Sequence, residues 1–254
     1  MRKIILTALM VLVMVSLVFA GGRQEKAAGG PRVITVATDA TWPPMQYVDR
    51  DQNIVGFDID LINAVAAAAG FEVVVQNTAW DGIFAGLANR DYDAVISSVT
   101  ITEERRGTMD FSTPYINAGQ VLIVHRDTPA SVTRLQDLTG QSVGAQIGTT
   151  GAFEVEKVNG LDLRTYDELG MAIEDLAQGR IAGVVADTPI AADFALQNDT
   201  YKALLKIVGE PFTDEFYGVA VRKGNSDVLD LINAGLDVVL NDGTVEELEA
   251  KWLR

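Results

Sequence analysis

No cysteine occurs among the 254 residues. Disulfides, zinc–thiolate sites and thiol nucleophiles are therefore excluded outright. Histidine is nearly absent too: His125 stands alone, and a lone imidazole cannot build a metal site. Positive charge is scarce, with 20 Lys and Arg against 35 Asp and Glu and a formal net charge of −15. A chain this acidic repels nucleic acid and anionic lipid. The plain reading of that charge is solubility, with a modest bias toward cationic ligands beside it. Only 7 prolines occur while 48% of residues are hydrophobic, so the chain can bury a real core and is no disordered tail. Its length allows one large domain or two lobes of about 100 residues each.

Only one apolar run approaches membrane-spanning length, and it lies at the start. Arg2 and Lys3 form a positive head, Ile4 to Phe19 is apolar, and Val18-Phe19-Ala20 fits a small-residue cleavage site. Residues 1–20 thus read as an export signal, with a retained anchor as the alternative. No cysteine follows for lipid attachment. Residues 21–31, GGRQEKAAGGP, form a flexible leader. With the signal removed, the chain is expected to have no stable membrane insertion and a periplasmic location.

The segment Asp91–Arg106, DYDAVISSVTITEERR, carries the most chemistry. An apolar strand, Ala94-Val95-Ile96, runs into hydroxyls at Ser97, Ser98 and Thr100. Thr102 is placed to cap a short helical turn that contains Glu104 and Arg105. Strand ends and helix starts leave N–H groups unpaired, and such groups bind anions. The Arg105 guanidinium adds a planar two-pronged donor that fits a carboxylate. The segment reads as a pocket for a small carboxylic acid.

Strand and helix signals alternate along the rest. Strands are expected at Arg32–Thr38, Phe71–Gln76, Gln120–Arg126, Gln141–Ala145, Leu161–Tyr166, Ile181–Asp187 and Phe216–Arg222. Helices are expected at Phe57–Ala69, from a cap at Asp81 to Asn89, from about Thr150, over Glu168–Gln178, after Pro189, and twice at the end. This pattern gives an α/β fold with mostly parallel sheets. A weak echo links LANRDYDAVISS and LAQGRIAGVVAD. Each places a polar group at the carboxyl edge of a sheet, where α/β ligands bind. Two lobes follow: lobe 1 over 32–115 and 217–254, lobe 2 over 119–212, with hinge crossovers at 116–118 and 213–216 and a cleft that closes between them.

Further residues bear on that cleft. Asp187, in VVADTP, could meet an ammonium or simply start a helix. Beside Arg105 it completes recognition of both ends of an amino acid. QIGTTGAF supplies Gln146, Gly148, Thr149 and Thr150 at a helix start, or is an ordinary capped loop; it is no P-loop, because no Gly-Lys-Ser/Thr follows. Trp42 and Trp80 sit in polar loops outside any regular apolar stripe, which favours a pocket over core packing. Asp39 could meet a cationic or amide side chain, or simply cap its turn. GQSVG matches a nucleophile pattern, but its serine lies early in a strand and His125 precedes it. DRDQN begins like a calcium loop but has Ile54 where glycine is required.

In their order, TDATWPPMQY, VGFDIDLINAVA, SSVTITEERR, FSTPYINAGQVLIV, QIGTTG, VVADTP and YGVAVRKGN resemble the periplasmic polar amino-acid-binding proteins, the family-3 solute-binding components of ABC importers. The resemblance covers nearly all of residues 32–254. It implies the two-lobed type II periplasmic-binding-protein fold, with a free L-amino acid bound in the interlobe cleft and delivered to ABC transporter permease subunits. It implies no cofactor and no catalysis. Arg105 would bind the α-carboxylate with Thr149, Thr150 and the Thr100 amide, and Asp187 the α-ammonium with Ser98 and Thr100. Trp42 and Trp80 would hold the side chain, with Asp39, Ser97, Gln146 and Ala186 near its tip. SSVTIT and GTTG look more like the lysine/arginine/histidine binders than the glutamine binders; Asp39, the two tryptophans and the acidic surface favour arginine or lysine, and histidine or glutamine stays open. The fold also occurs in a cyclohexadienyl-dehydratase type of enzyme, for which Asp39 is the only spare acid. A sensor that presents its bound form to a receptor is a further alternative.

Overall fold

The computed structural model describes residues 30–254. The expected export signal and most of the leader lie outside the described residues.

The chain opens with β1 (Val33–Thr38) and three short strands, β2 (Thr41–Trp42), β3 (Gln46–Val48) and β4 (Ile54–Val55), which form a small antiparallel sheet. Helix α1 (Phe57–Ala69) is followed by β5 (Glu72–Asn77), α2 (Ile83–Asn89), β6 (Ala94–Val95), α3 (Glu103–Thr108) and β7 (Met109–Phe111). The chain then passes through β8 (Ile116–Asn117) into β9 (Gln120–His125), β10 (Ser142–Gln146), α4 (Thr150–Glu156), β11 (Asp162–Tyr166) and α5 (Leu169–Ala177). After β12 (Gly183–Asp187), α6 (Thr188–Ala192) runs into a π turn over Asp193–Gln197, and β13 (Leu205–Val208) follows. It returns through β14 (Phe216–Tyr217) to β15 (Ala220–Arg222), α7 (Ser226–Val239) and α8 (Thr244–Trp252).

Two five-stranded sheets result, ordered β5–β1–β6–β15–β7 and β11–β10–β12–β9–β13. Their plans match. In each, four strands run in one direction and one is reversed: β15 lies antiparallel between β6 and β7, and β9 lies antiparallel between β12 and β13. The echo in the sequence thus marks the two central strands. The sheets are thus mostly parallel in strand direction, and the one reversed strand in each, β15 or β9, enters its sheet straight from a crossover. The two passages between sheets run side by side, with β8 and β14 pairing antiparallel through Ile116–Tyr217 and Asn117–Phe216. The expected hinge segments fall in these passages.

Local sequence explains the main elements. Ile34 and Val36 of β1 are fully buried, as a strand covered on its inner face requires. Helix α1 buries Phe57, Leu61, Ile62 and Val65 along one side, the spacing of an apolar helical stripe. It ends at Gly70, whose left-handed φ of 75° lets its N–H reach Ala66 O. Helix α7 packs on α1 through Gly235, where an added Cβ would lie 2.3 Å from Val65 O and 2.8 Å from Val65 Cγ1.

Two expectations need correction. Phe216–Arg222 is not one strand. Its first two residues pair with β8, the chain kinks at Gly218-Val219, and its last three join the first sheet. Ser112 fixes the kink by exchanging bonds with Val219: Ser112 N to Val219 O at 2.9 Å and Val219 N to Ser112 Oγ at 2.9 Å. Asp81 does not cap α2; the cap position is Gly82 in a left-handed conformation with no side-chain bond. The small β2–β3–β4 sheet and the strands β7, β8 and β13 were not anticipated, being short and without alternation. No helix among the described residues is long and apolar enough to cross a membrane.

Candidate functional site

The carboxyl ends of the sheets face each other across a narrow polar cavity. Asp39, Trp42, Trp80, Ser97, Ser98, Thr100, Arg105, Gln146, Thr149, Thr150 and Asp187 all line it, and Gln46 joins them. Ala186 is not among the lining residues. Alternation along β12 turns it into the hydrophobic core while Asp187 faces the cavity.

Arg105 is placed by the start of α3. Thr102 caps that helix by accepting from Arg105 N at 3.1 Å, and the side chain folds back over the strand end. Nη1 donates to Thr100 O at 2.9 Å, and Nη2 donates to Gly148 O of the opposite lobe at 3.3 Å. Its Cζ lies 5.5 Å from the Trp80 ring centre and 5.2 Å from that of Phe84, so two aromatic faces hold the cation. Burial lowers the guanidinium pKa, yet an arginine stays charged.

Asp187 closes β12 at the helix-start position but makes no capping bond. Its carboxylate turns into the cleft instead. Gln120 Nε2 donates to Oδ1 at 2.7 Å, and the Tyr217 hydroxyl donates to Oδ2. Burial raises its pKa to about 6, Glu215 adds to the rise, and Tyr217, Gln120 and Arg105 oppose it.

The hydroxyl shelf after β6 rests on a second buried acid. Ser98 adopts a left-handed φ of 51°, unusual for a residue with a side chain. Asp58 of α1 holds it there by accepting from Ser98 N at 2.6 Å and Ser98 Oγ at 3.3 Å. Tyr115 Oη donates to the other Asp58 oxygen at 2.9 Å. Asp58 has no exposed surface, and burial raises its pKa to about 7. Ser97 Oγ accepts from Asp39 N at 3.0 Å and from Gln46 Nε2 at 3.3 Å.

Asp39 marks the far end of the cavity. Its oxygens accept from Thr41 Oγ1 at 2.9 Å and, across the cleft, from Gln146 Nε2 at 2.9 Å. Burial raises its pKa as well. Trp42 and Trp80 are 7% and 8% exposed, so they pack and line the cavity at once. Thr149 caps α4 by accepting from Ala152 N at 3.3 Å. Gln46, Asp58, Tyr115, Gln120, Glu215 and Tyr217 complete the site without having been singled out from the sequence. Each is an isolated polar residue whose partner is distant along the chain, so local pattern gives no sign of it. The set-aside motifs lie elsewhere: Ser142 Oγ donates to Asp162 at 2.7 Å, and Asp49 accepts from Asp51 N and Asn53 N in a surface turn.

Two lobes joined by paired crossovers, with facing sheet ends around one polar cavity, define a type II periplasmic-binding-protein architecture. Comparison with known proteins agrees. Residues 34–254 match the family model of bacterial extracellular solute-binding proteins, family 3, and the chain belongs to that family. It is 35% identical over 242 residues to the "Probable histidine-binding protein" of Neisseria gonorrhoeae, covering 92% of this chain and 89% of that one. It is 35% identical over 221 residues to the "L-cystine-binding protein TcyJ" of Escherichia coli (strain K12), covering 86% and 82%. Among solved structures, an ancestral arginine-binding protein bound to arginine superposes with a TM-score of 0.83 at 39% identity, covering 89% of this chain and all (100%) of that one.

Proposed function

We propose that the protein captures a free amino acid with a cationic side chain, arginine or lysine, in the interlobe cavity, and delivers it to an ABC permease. The observation that carries the choice of ligand is the charge of the cavity wall. It presents one guanidinium, Arg105, against two carboxylates, Asp187 and Asp39. A zwitterion alone would match Arg105 and Asp187 and leave Asp39 buried and unpaired by charge. A second positive charge on the ligand completes the match, and buried charge strongly favours such pairing.

In this reading Arg105 and the backbone amides at Thr100 and Thr150 take the α-carboxylate, Asp187 and the Ser98 shelf take the α-ammonium, and Trp42 and Trp80 flank the side chain as it runs toward Asp39. The crossovers at 116–118 and 213–216 bend to admit it. Export by the amino-terminal signal to the periplasm completes the reading, in keeping with an extracellular family.

A thermal-shift screen against the twenty common amino acids and cystine tests the ligand, because a tight ligand raises stability by mass action. Arginine and lysine are expected to give the largest shifts. A larger shift from a neutral amino acid such as glutamine or cystine overturns the choice.

A further inference from the structure

We propose that Glu215 is a positioning residue that fastens the two lobes together beside the ligand cavity. Glu215 lies on the return passage, between β13 and β14, and is 8% exposed. Its Oε2 accepts from Thr100 Oγ1 of the first lobe at 2.8 Å and from Thr150 Oγ1 of the second at 2.7 Å. Gln120 Nε2 approaches the same oxygen at 3.4 Å, and Thr213 Oγ1 donates to the other oxygen at 2.9 Å. One carboxylate oxygen therefore joins both lobes at the point where the chain crosses between them.

Hydroxyl valence sharpens the role. A threonine hydroxyl has one proton to give. Thr100 and Thr150 both spend it on Glu215, so neither hydroxyl donates to a ligand carboxylate. Thr150 Oγ1 is occupied again as acceptor from Gln120 Nε2 at 3.1 Å. The carboxylate grip then falls to Arg105 and backbone amides. Gln120 carries the linkage further: the same Nε2 holds Asp187 at 2.7 Å. Moving Glu215 thus loosens the lobe contact, the carboxylate side and the ammonium side together.

The inference rests on the amino-acid-binding reading, and the test separates the two. Glu215→Ala, Glu215→Gln and Thr150→Val are compared with the parent by stopped-flow arginine binding and by small-angle X-ray scattering without ligand. Glu215→Ala is expected to speed dissociation about tenfold with association changed less than about twofold, and to enlarge the ligand-free particle. Glu215→Gln is expected to stay within about threefold of the parent, since its amide carbonyl still accepts both hydroxyls. Thr150→Val, which removes the second lobe's end of the link, should enlarge the particle as Glu215→Ala does, and it decides the matter if the alanine variant does not fold. Parent-like rates and dimensions in Glu215→Ala and Thr150→Val overturn the proposal, as does a glutamine variant as impaired as the alanine one. If the parent binds no amino acid, the functional reading fails, while the scattering comparison still judges the linkage.

Discussion

At the scale of single residues, Arg105 and Asp187 come from opposite lobes and face one cavity. Removing one member of a buried charged pair costs about 3–5 kcal/mol, or about 100- to 3,000-fold in affinity. Arg105→Ala and Asp187→Ala are each expected to abolish arginine binding at micromolar ligand in titration calorimetry, with the fold intact by circular dichroism. Acidity gives a second prediction. Burial holds Asp58 at about 7 and Asp187 at about 6, against about 3.9 in an unfolded chain. Between pH 4 and pH 7 the native state therefore binds more protons than the unfolded one, and these groups' contribution to stability falls as pH rises. For Asp58 the change is on the order of 3–4 kcal/mol. Below pH 4 the trend reverses, because Asp110 and Asp137 are held below the usual range by their hydrogen bonds. Ligand binding runs the other way, since it needs Asp187 ionised. On going from pH 7 to pH 5, the urea midpoint of ligand-free protein should rise while arginine affinity drops about tenfold. Asp58→Asn should flatten the first trend and leave the second. Arg105, Asp187 and Asp39 were legible in the sequence because each sits beside a recognisable strand end. Asp58 and Gln120 were not, since their work depends on partners 40 and 67 positions away.

Whole elements were legible where periodicity and punctuation agree. Helix α1 has an apolar stripe and a terminal glycine, and β1 is a β-branched, mostly apolar run, VITVAT, so both emerge with nearly their expected limits. FYGVAVR failed as one strand because propensity cannot report that its halves pair with different partners. The packing of α7 on α1 yields an element-scale prediction. Gly235→Ala would push a methyl group into Val65, and overpacking of this kind costs about 1–3 kcal/mol. Urea denaturation should show that loss, while arginine affinity in calorimetry stays within about twofold, because Val65 lies about two helical turns from Asp58, the residue of α1 that supports the site.

For the whole molecule, two lobes were legible through the alternation of elements and the paired strand echo; the one reversed strand in each sheet, β15 or β9, was not, because strand direction depends on which partner a strand joins after its crossover. A net charge of −15 surrounds a cavity whose wall is itself acidic. Such a field draws cations inward and weakens as salt screens it. The association rate of arginine should fall several-fold between 10 mM and 500 mM salt in stopped-flow measurements, whereas that of a neutral amino acid should hardly change. The seating of β15 in the first sheet has a consequence for biosynthesis. Until residues 220–222 emerge, β6 lacks one neighbour and β7 lacks its only partner in that sheet. The amino-terminal half cannot finish its own architecture while the ribosome is still at work, and a nascent polypeptide kept open in this way is in the state that threading through a narrow secretion channel demands.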